Sequence, residues 1–147
     1  MSGMSPIVKT VTRWVSPFIL AFGIYIALTG HLTPGGGFPG GVIIAGCFVL
    51  ITLAYGRKLV FGVFDLKSAS VTDSLASLSF LCMGLLGYVF GGGFLNNFIQ
   101  SGFPGDAFGL LSGGNMPIIN IAIGFKVGGS LFVVFAYLAL FRAIEED

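Results

Sequence analysis

The chain has 147 residues, of which 55% are hydrophobic and only 9% charged, and its formal net charge is +1; mean hydropathy is +0.99. Such usage excludes an ordinary soluble domain, and nothing in the charge balance points to a nucleic-acid partner. The 24 glycines and 16 phenylalanines suit hydrocarbon surroundings, where glycine lets helices approach closely and phenylalanine partitions into lipid.

In chain order, four apolar stretches predict four transmembrane helices, hence an all-α polytopic integral membrane protein with a single domain over 1–147. The first, about 14–30, follows Lys9 and Arg13, and Pro17 reads as a first-turn proline. It reads as a retained helix and not a signal peptide, because no small-residue cleavage pattern follows it and further apolar spans do. The second, about 40–55, is short for a crossing; the third covers about 74–90, and the fourth and longest about 117–141. Cys47 and Cys82 fall in different apolar stretches, without C-x-x-C spacing or neighbouring histidines, and read as buried, inert thiols.

The first two spans are joined by Gly30-His31-Leu32-Thr33-Pro34-Gly35-Gly36-Gly37-Phe38-Pro39-Gly40-Gly41. Proline deletes amide donors and consecutive glycines permit positive φ, so no regular helix is expected to survive this run. Its density exceeds what a simple turn needs. Pro34, Gly35, Gly36, Gly37, Phe38, Gly40 and Gly41 are therefore candidates for a shaped, non-helical junction that docks a partner or lines an aqueous entrance. A phosphate-binding loop is excluded, because no lysine and hydroxyl follow the glycines. His31 is a weaker candidate: its reference pKa suits proton shuttling, although a structural hydrogen-bond partner is the ordinary role of a lone histidine. The segment 91–116 carries three helix-breaking clusters, and its Phe94, Leu95, Phe98 and Phe108 are expected along the membrane surface or against a neighbouring subunit. Asp106 in this segment is a second weak candidate.

Six of the seven basic residues, Lys9, Arg13, Arg57, Lys58, Lys67 and Arg142, lie on one side of the predicted spans. The positive-inside rule then places both termini in the cytoplasm, N-in and C-in, in a multi-pass protein of the cell membrane. The seventh, Lys126, lies about 13 Å into the last span at helical rise. An ionised lysine there costs about 2.5–3.5 kcal/mol and demands protein or water around it. Asp65, Asp73, Asp106, Glu145, Glu146 and Asp147 all fall outside the predicted spans, so the counter-charge is expected from another subunit, with a hydrated path or a neutral lysine as alternatives. At helical spacing Ala122, Gly129 and Ser130 share the face of Lys126, while Gly124 and Gly128 form a small-xxx-small pair on nearly the opposite face. Gly124, Gly128 and Gly129 are thus candidates for close helix packing, and Lys126 for an ion pathway or an inter-subunit charge contact. No nucleophile–base pair or metal-ligand cluster is legible, so no catalytic residue, metal or cofactor is expected.

The junction from Gly30 to Gly41 resembles the G-H-x-x-P-G-G-G-F-x-G-G signature of the MnhB subunit family of Mrp-type sodium/proton antiporters, and the layout is similar from about Lys9 to Arg142. The resemblance implies a small membrane subunit of a multisubunit Na+/H+ antiporter, whose larger subunits carry the proton channels, with Na+ and H+ as the transported ions. Homologous modules occur in membrane-bound hydrogenases and related respiratory complexes, and Lys126 within Phe125-Lys126-Val127-Gly128 looks more like that branch. Three functions are weighed: a subunit contributing to the ion path, a purely structural assembly subunit, and a homo-oligomeric channel. The spans show no repeated pore-lining polar face, which speaks against the channel.

Overall fold

Pro6 opens the first helix, α1 (Pro6–Thr29), at a position where a missing amide proton costs nothing. The computed structural model describes residues 4–32, 34–56, 66–102, 109 and 112–145. Four further helices follow: α2 (Gly37–Tyr55), α3 (Leu66–Gly91), the short α4 (Phe98–Gly102) and α5 (Met116–Glu145). Among the described residues every regular element is helical, and Pro6–Thr29, Gly37–Tyr55, Lys67–Gly91 and Met116–Ala139 are long and apolar enough to cross a membrane.

Three boundaries differ from the sequence expectation, each for a physical reason. Pro17 lies inside α1, not in its first turn. In the polar turns before it the hydroxyls are accommodated within the helix, Thr10 Oγ1 donating to the Pro6 carbonyl at 2.9 Å and Ser16 Oγ to that of Thr12 at 2.7 Å. The helix α3 starts at Leu66 instead of near 74. Hydroxyls again bond back four residues, Thr72 to Ser68 and Ser74 to Ser70, which hides their polarity within the helix. Finally, the glycine run does not stay irregular as far as Gly41, since α2 already begins at Gly37. Pro39 sits in its first turn, where amides have no intrahelical acceptor, and Gly36 before it takes a φ of 121° that favours glycine.

That glycine turn is wedged between two helices. A Cβ on Gly40 would lie 2.8 Å from the Ala27 Cβ and 2.9 Å from the Gly23 carbonyl of α1. One on Gly41 would lie 2.6 Å from the Gly124 carbonyl of α5, and one on Gly37 would run into the Asn120 carbonyl. Backbone therefore meets backbone, the small-residue mode by which membrane helices associate. Tyr55 Oη donates to the Lys9 carbonyl at 3.0 Å and the Met4 amide to that of Ala54 at 3.1 Å, so the start of α1 and the end of α2 lie together and the two run antiparallel.

The helix α5 is the hub: it packs on α1, α2 and α3, whereas α3 packs chiefly on α5. The buried side chains are mostly alanines, among them Ala27, Ala45, Ala54, Ala69, Ala122 and Ala136, around one aromatic contact between Phe48 and Phe132 at 5.8 Å. The large residues instead point outward: Ile7, Trp14, Phe18, Val89 and Leu138 are exposed. This inverted distribution suits a lipid solvent, in which large apolar groups gain nothing from an interior. It also corrects one expectation, that both thiols are buried. Cys47 is buried, with its thiol donating to the Ser16 carbonyl at 3.3 Å, whereas Cys82 stands on an open face of α3.

Asparagines fasten the segment after α3. Asn115, buried just before α5, donates through Nδ2 to the Asn96 carbonyl at 3.0 Å and accepts from the Ile99 amide at 3.3 Å, while Asn97 Oδ1 accepts from the Asn115 amide at 2.8 Å. Phe94 folds back on Tyr88, and Phe98 on Phe90, with ring centroids 6.0 and 5.4 Å apart. Replacing Asn115 by alanine takes one hydrogen bond each from the part-buried Asn96 carbonyl and Ile99 amide, at about 0.5–1.5 kcal/mol apiece. We expect Asn115→Ala to speed protease cleavage between 91 and 116 by at least about tenfold while the four spans survive. Cleavage at the wild-type rate would refute this role.

Candidate functional site

Ser130 lies four positions after Lys126, so α5 presents both on one face. The start of α3 at Leu66 brings Asp73 opposite them. Lys126 Nζ donates to Asp73 Oδ1 at 3.0 Å, and Ser130 Oγ donates to the same oxygen at 2.6 Å. The counter-charge of Lys126 is thus supplied within the chain, which overturns the expectation that it must come from outside. The reason is the helix boundary: with its neighbouring hydroxyls bonded back to carbonyls, the polar stretch before 74 is helical and carries Asp73 into the span. Ser77 Oγ, one turn on, donates to the Asp73 carbonyl at 2.8 Å.

Gly129 faces α3, where an ideal Cβ would make ordinary contacts, 3.4 Å from the Ala69 carbonyl and 3.8 Å from the Asp73 Cβ. Gly124 and Gly128 face the other way, onto Gly37 and Gly41, with 3.4 Å between each ideal Cβ and the facing carbonyl oxygen. One helix therefore holds α2 with one glycine pair and positions the charged group on α3 with its other side.

The charged group is not enclosed. Its side chains are 47% (Lys126) and 31% (Asp73) exposed. Lys126 and Ser130 line a groove of about 480 Å³ between α3 and α5, walled also by Phe38, Phe80, Ile123, Val127 and Leu131. A second, apolar cleft of about 430 Å³ separates α1 from α3 over the glycines of α5 and contains no ionisable side chain.

The remaining sequence candidates sit elsewhere. His31 lies at the far end of α1, its Nε2 3.4 Å from the Gly109 carbonyl and its Nδ1 buried without a hydrogen bond among the described residues. Its ring packs on Gly113, away from Lys126. Pro34 and Gly35 are exposed in the turn before α2, and Phe38 projects from the first turn of α2 into the groove. Asp106 lies outside the described residues. Asp73 and Ser130 were not singled out as site residues from the sequence. The available signal was the Ser, Thr and Ala repetition around Asp73, which allows a helix that hydropathy alone reads as a loop.

The family described as the domain related to the MnhB subunit of Na+/H+ antiporters matches residues 7–133. The chain belongs to this family. A subunit of the Na(+)/H(+) antiporter of Bacillus subtilis is 40% identical over 146 residues, which is 96% of this chain and 93% of that one. An uncharacterized protein of Methanocaldococcus jannaschii is 35% identical over 97% of this chain but only 55% of its own length. Among solved structures, a chain of the membrane-bound sulfane sulfur reductase, an archaeal respiratory membrane complex, superposes with a TM-score of 0.76 at 36% identity, covering 91% of this chain and 57% of that one. This MnhB-related chain thus spans little more than half the length of the Methanocaldococcus and sulfane sulfur reductase relatives.

Proposed function

We propose that this MnhB-related chain is a small membrane subunit of a multisubunit Na+/H+ antiporter, taking part in monovalent cation and proton movement and in assembly, with no catalytic step of its own. The observation that carries the reading is the 40% identity to the Bacillus antiporter subunit over nearly the whole of both chains. The Asp73–Lys126–Ser130 group supports it, since ionisable groups within spans are costly and are found where charge moves or subunits meet. The clustering of six basic residues on one side of the spans supports cytoplasmic termini. A second reading, the same module inside an ion-pumping respiratory complex, is favoured by the likeness to the sulfane sulfur reductase chain.

Everted vesicles from cells lacking only this chain are expected to lose Na+-elicited proton movement, followed with a ΔpH-sensitive dye, and to regain it with a plasmid copy. Undiminished movement without the chain would remove the antiporter reading. Lys126→Arg keeps the charge but changes the reach and geometry of the donor. It is expected to leave the assembly intact on native gels and to lower the rate of exchange severalfold; an unchanged rate would make Lys126 structural only. Iron–sulfur or sulfur-reducing subunits co-purifying with the chain would favour the respiratory reading.

A further inference from the structure

The groove between α3 and α5 is lined by Lys126 and Ser130, whose shared partner Asp73 is itself partly exposed, so an ion pair that is already neutral stands at the groove within two membrane spans. Asp73 Oδ1 receives both Lys126 and Ser130, while Asp73 Oδ2 and two of the three Lys126 N–H bonds have no partner among the described residues. Hydrocarbon supplies no hydrogen bonds, so a lipid-facing position would leave these groups unsatisfied. The walls around them, Phe38, Phe80, Ile123, Val127 and Leu131, are apolar. The Ser77 hydroxyl, also in the lining, is spent on the Asp73 carbonyl, so the surface is an apolar face carrying one polar group without net charge.

From this we infer that the groove is the seat of one transmembrane helix of a different membrane subunit, and that this helix is apolar with an uncharged hydrogen-bonding side chain (Ser, Thr, Asn, Gln or Tyr) at the depth of Lys126. Charge complementarity decides the chemistry. A carboxylate on the partner would leave the interface with a net negative charge, and a basic residue with a net positive one, each uncompensated away from water. A hydroxyl or amide both accepts from the Lys126 ammonium and donates to Asp73 Oδ2. The inference rests on the reading of the chain as one subunit of an assembly and adds which face meets a neighbour and what that neighbour carries.

The test uses the intact assembly purified in mild detergent, with a photoreactive p-benzoyl-phenylalanine replacing Leu131 in the groove or, as an off-groove control, Val89 on an exposed face of α3. Irradiation is expected to join position 131, and not position 89, to an apolar segment of another chain containing a neutral polar residue and no charged one. The neutral double variant Asp73→Asn with Lys126→Gln is expected to keep the cross-link yield. Lys126→Gln alone strands a carboxylate in the interface, and its yield is expected to fall by about tenfold or more. Loss of yield in the double variant would overturn the inference in favour of a charged partner. A cross-link to a second copy of this chain, or only to lipid, would overturn it as well. Should either happen while the chain still co-purifies with the other subunits, the groove assignment fails and the subunit reading stands.

Discussion

Gly37→Ala is expected to remove most of the folded protein from the membrane, although alanine is the better helix former. The added methyl would be driven into the Asn120 carbonyl, with Ile123 Cβ 2.8 Å away. Overpacking costs about 1–3 kcal/mol where side chains can yield, but here the obstacle is the backbone of α5, which can yield only by moving away from α2. That movement separates Gly41 from Gly124 and Gly128, where the other close approach between the two helices occurs. Gly46→Ala is the control, because the same helix has open space at that position. In a Cys82→Ser background, a thiol-reactive dye reports unfolding through the buried Cys47. Gly37→Ala should shift that transition downward by many degrees or leave no protein to measure, and Gly46→Ala should leave it in place. Equal behaviour of the two variants would remove the glycine wedge as the basis of α2 packing.

The contrast between Gly37 and Asp73 shows what the sequence reveals and what it conceals. Four spans were legible because lipid tolerates only long apolar helices, and hydropathy measures that requirement directly. The glycine run was legible as unusual, but its helical part was not. Propensity assigns glycine to loops, whereas close contact with Gly23, Ala27 and Gly124 outweighs propensity for Gly37–Gly41. Asp73 was concealed by its neighbours. Ser68, Ser70, Thr72 and Ser74 depress hydropathy as a loop would, yet the hydroxyls of Thr72 and Ser74 are spent on carbonyls one turn back. Hydropathy scores the side chain without its intrahelical bond, and the start of α3 is lost with it. Lys126 was conspicuous because apolar residues surround it, and its partner was missed because hydroxyl residues surround Asp73.

Asp73→Asn is expected to destabilise the protein more than its conservative shape suggests. As it stands the pair is half-exposed, and by analogy with surface pairs its net contribution is only about 0–1 kcal/mol. Removing one member is a different change, because it leaves the Lys126 ammonium within a span and without a counter-charge. Insertion scales put that cost at about 2.5–3.5 kcal/mol. In the Cys47 assay this corresponds to a transition lowered by several degrees, at roughly 2–4 °C per kcal/mol for a chain near this size. The exchange Asp73→Lys with Lys126→Asp restores neutrality across the same helices, and Ser130 lies one turn from the new carboxylate. It should recover at least half of the loss, whereas Asp73→Lys alone, which places two ammonium groups side by side, should accumulate least of all. Additive effects in the exchanged protein would mean that Asp73 and Lys126 act independently. A recovery specific to the pair would establish that the chain neutralises the lysine within its own span, so that a neighbouring subunit need satisfy only its remaining hydrogen bonds.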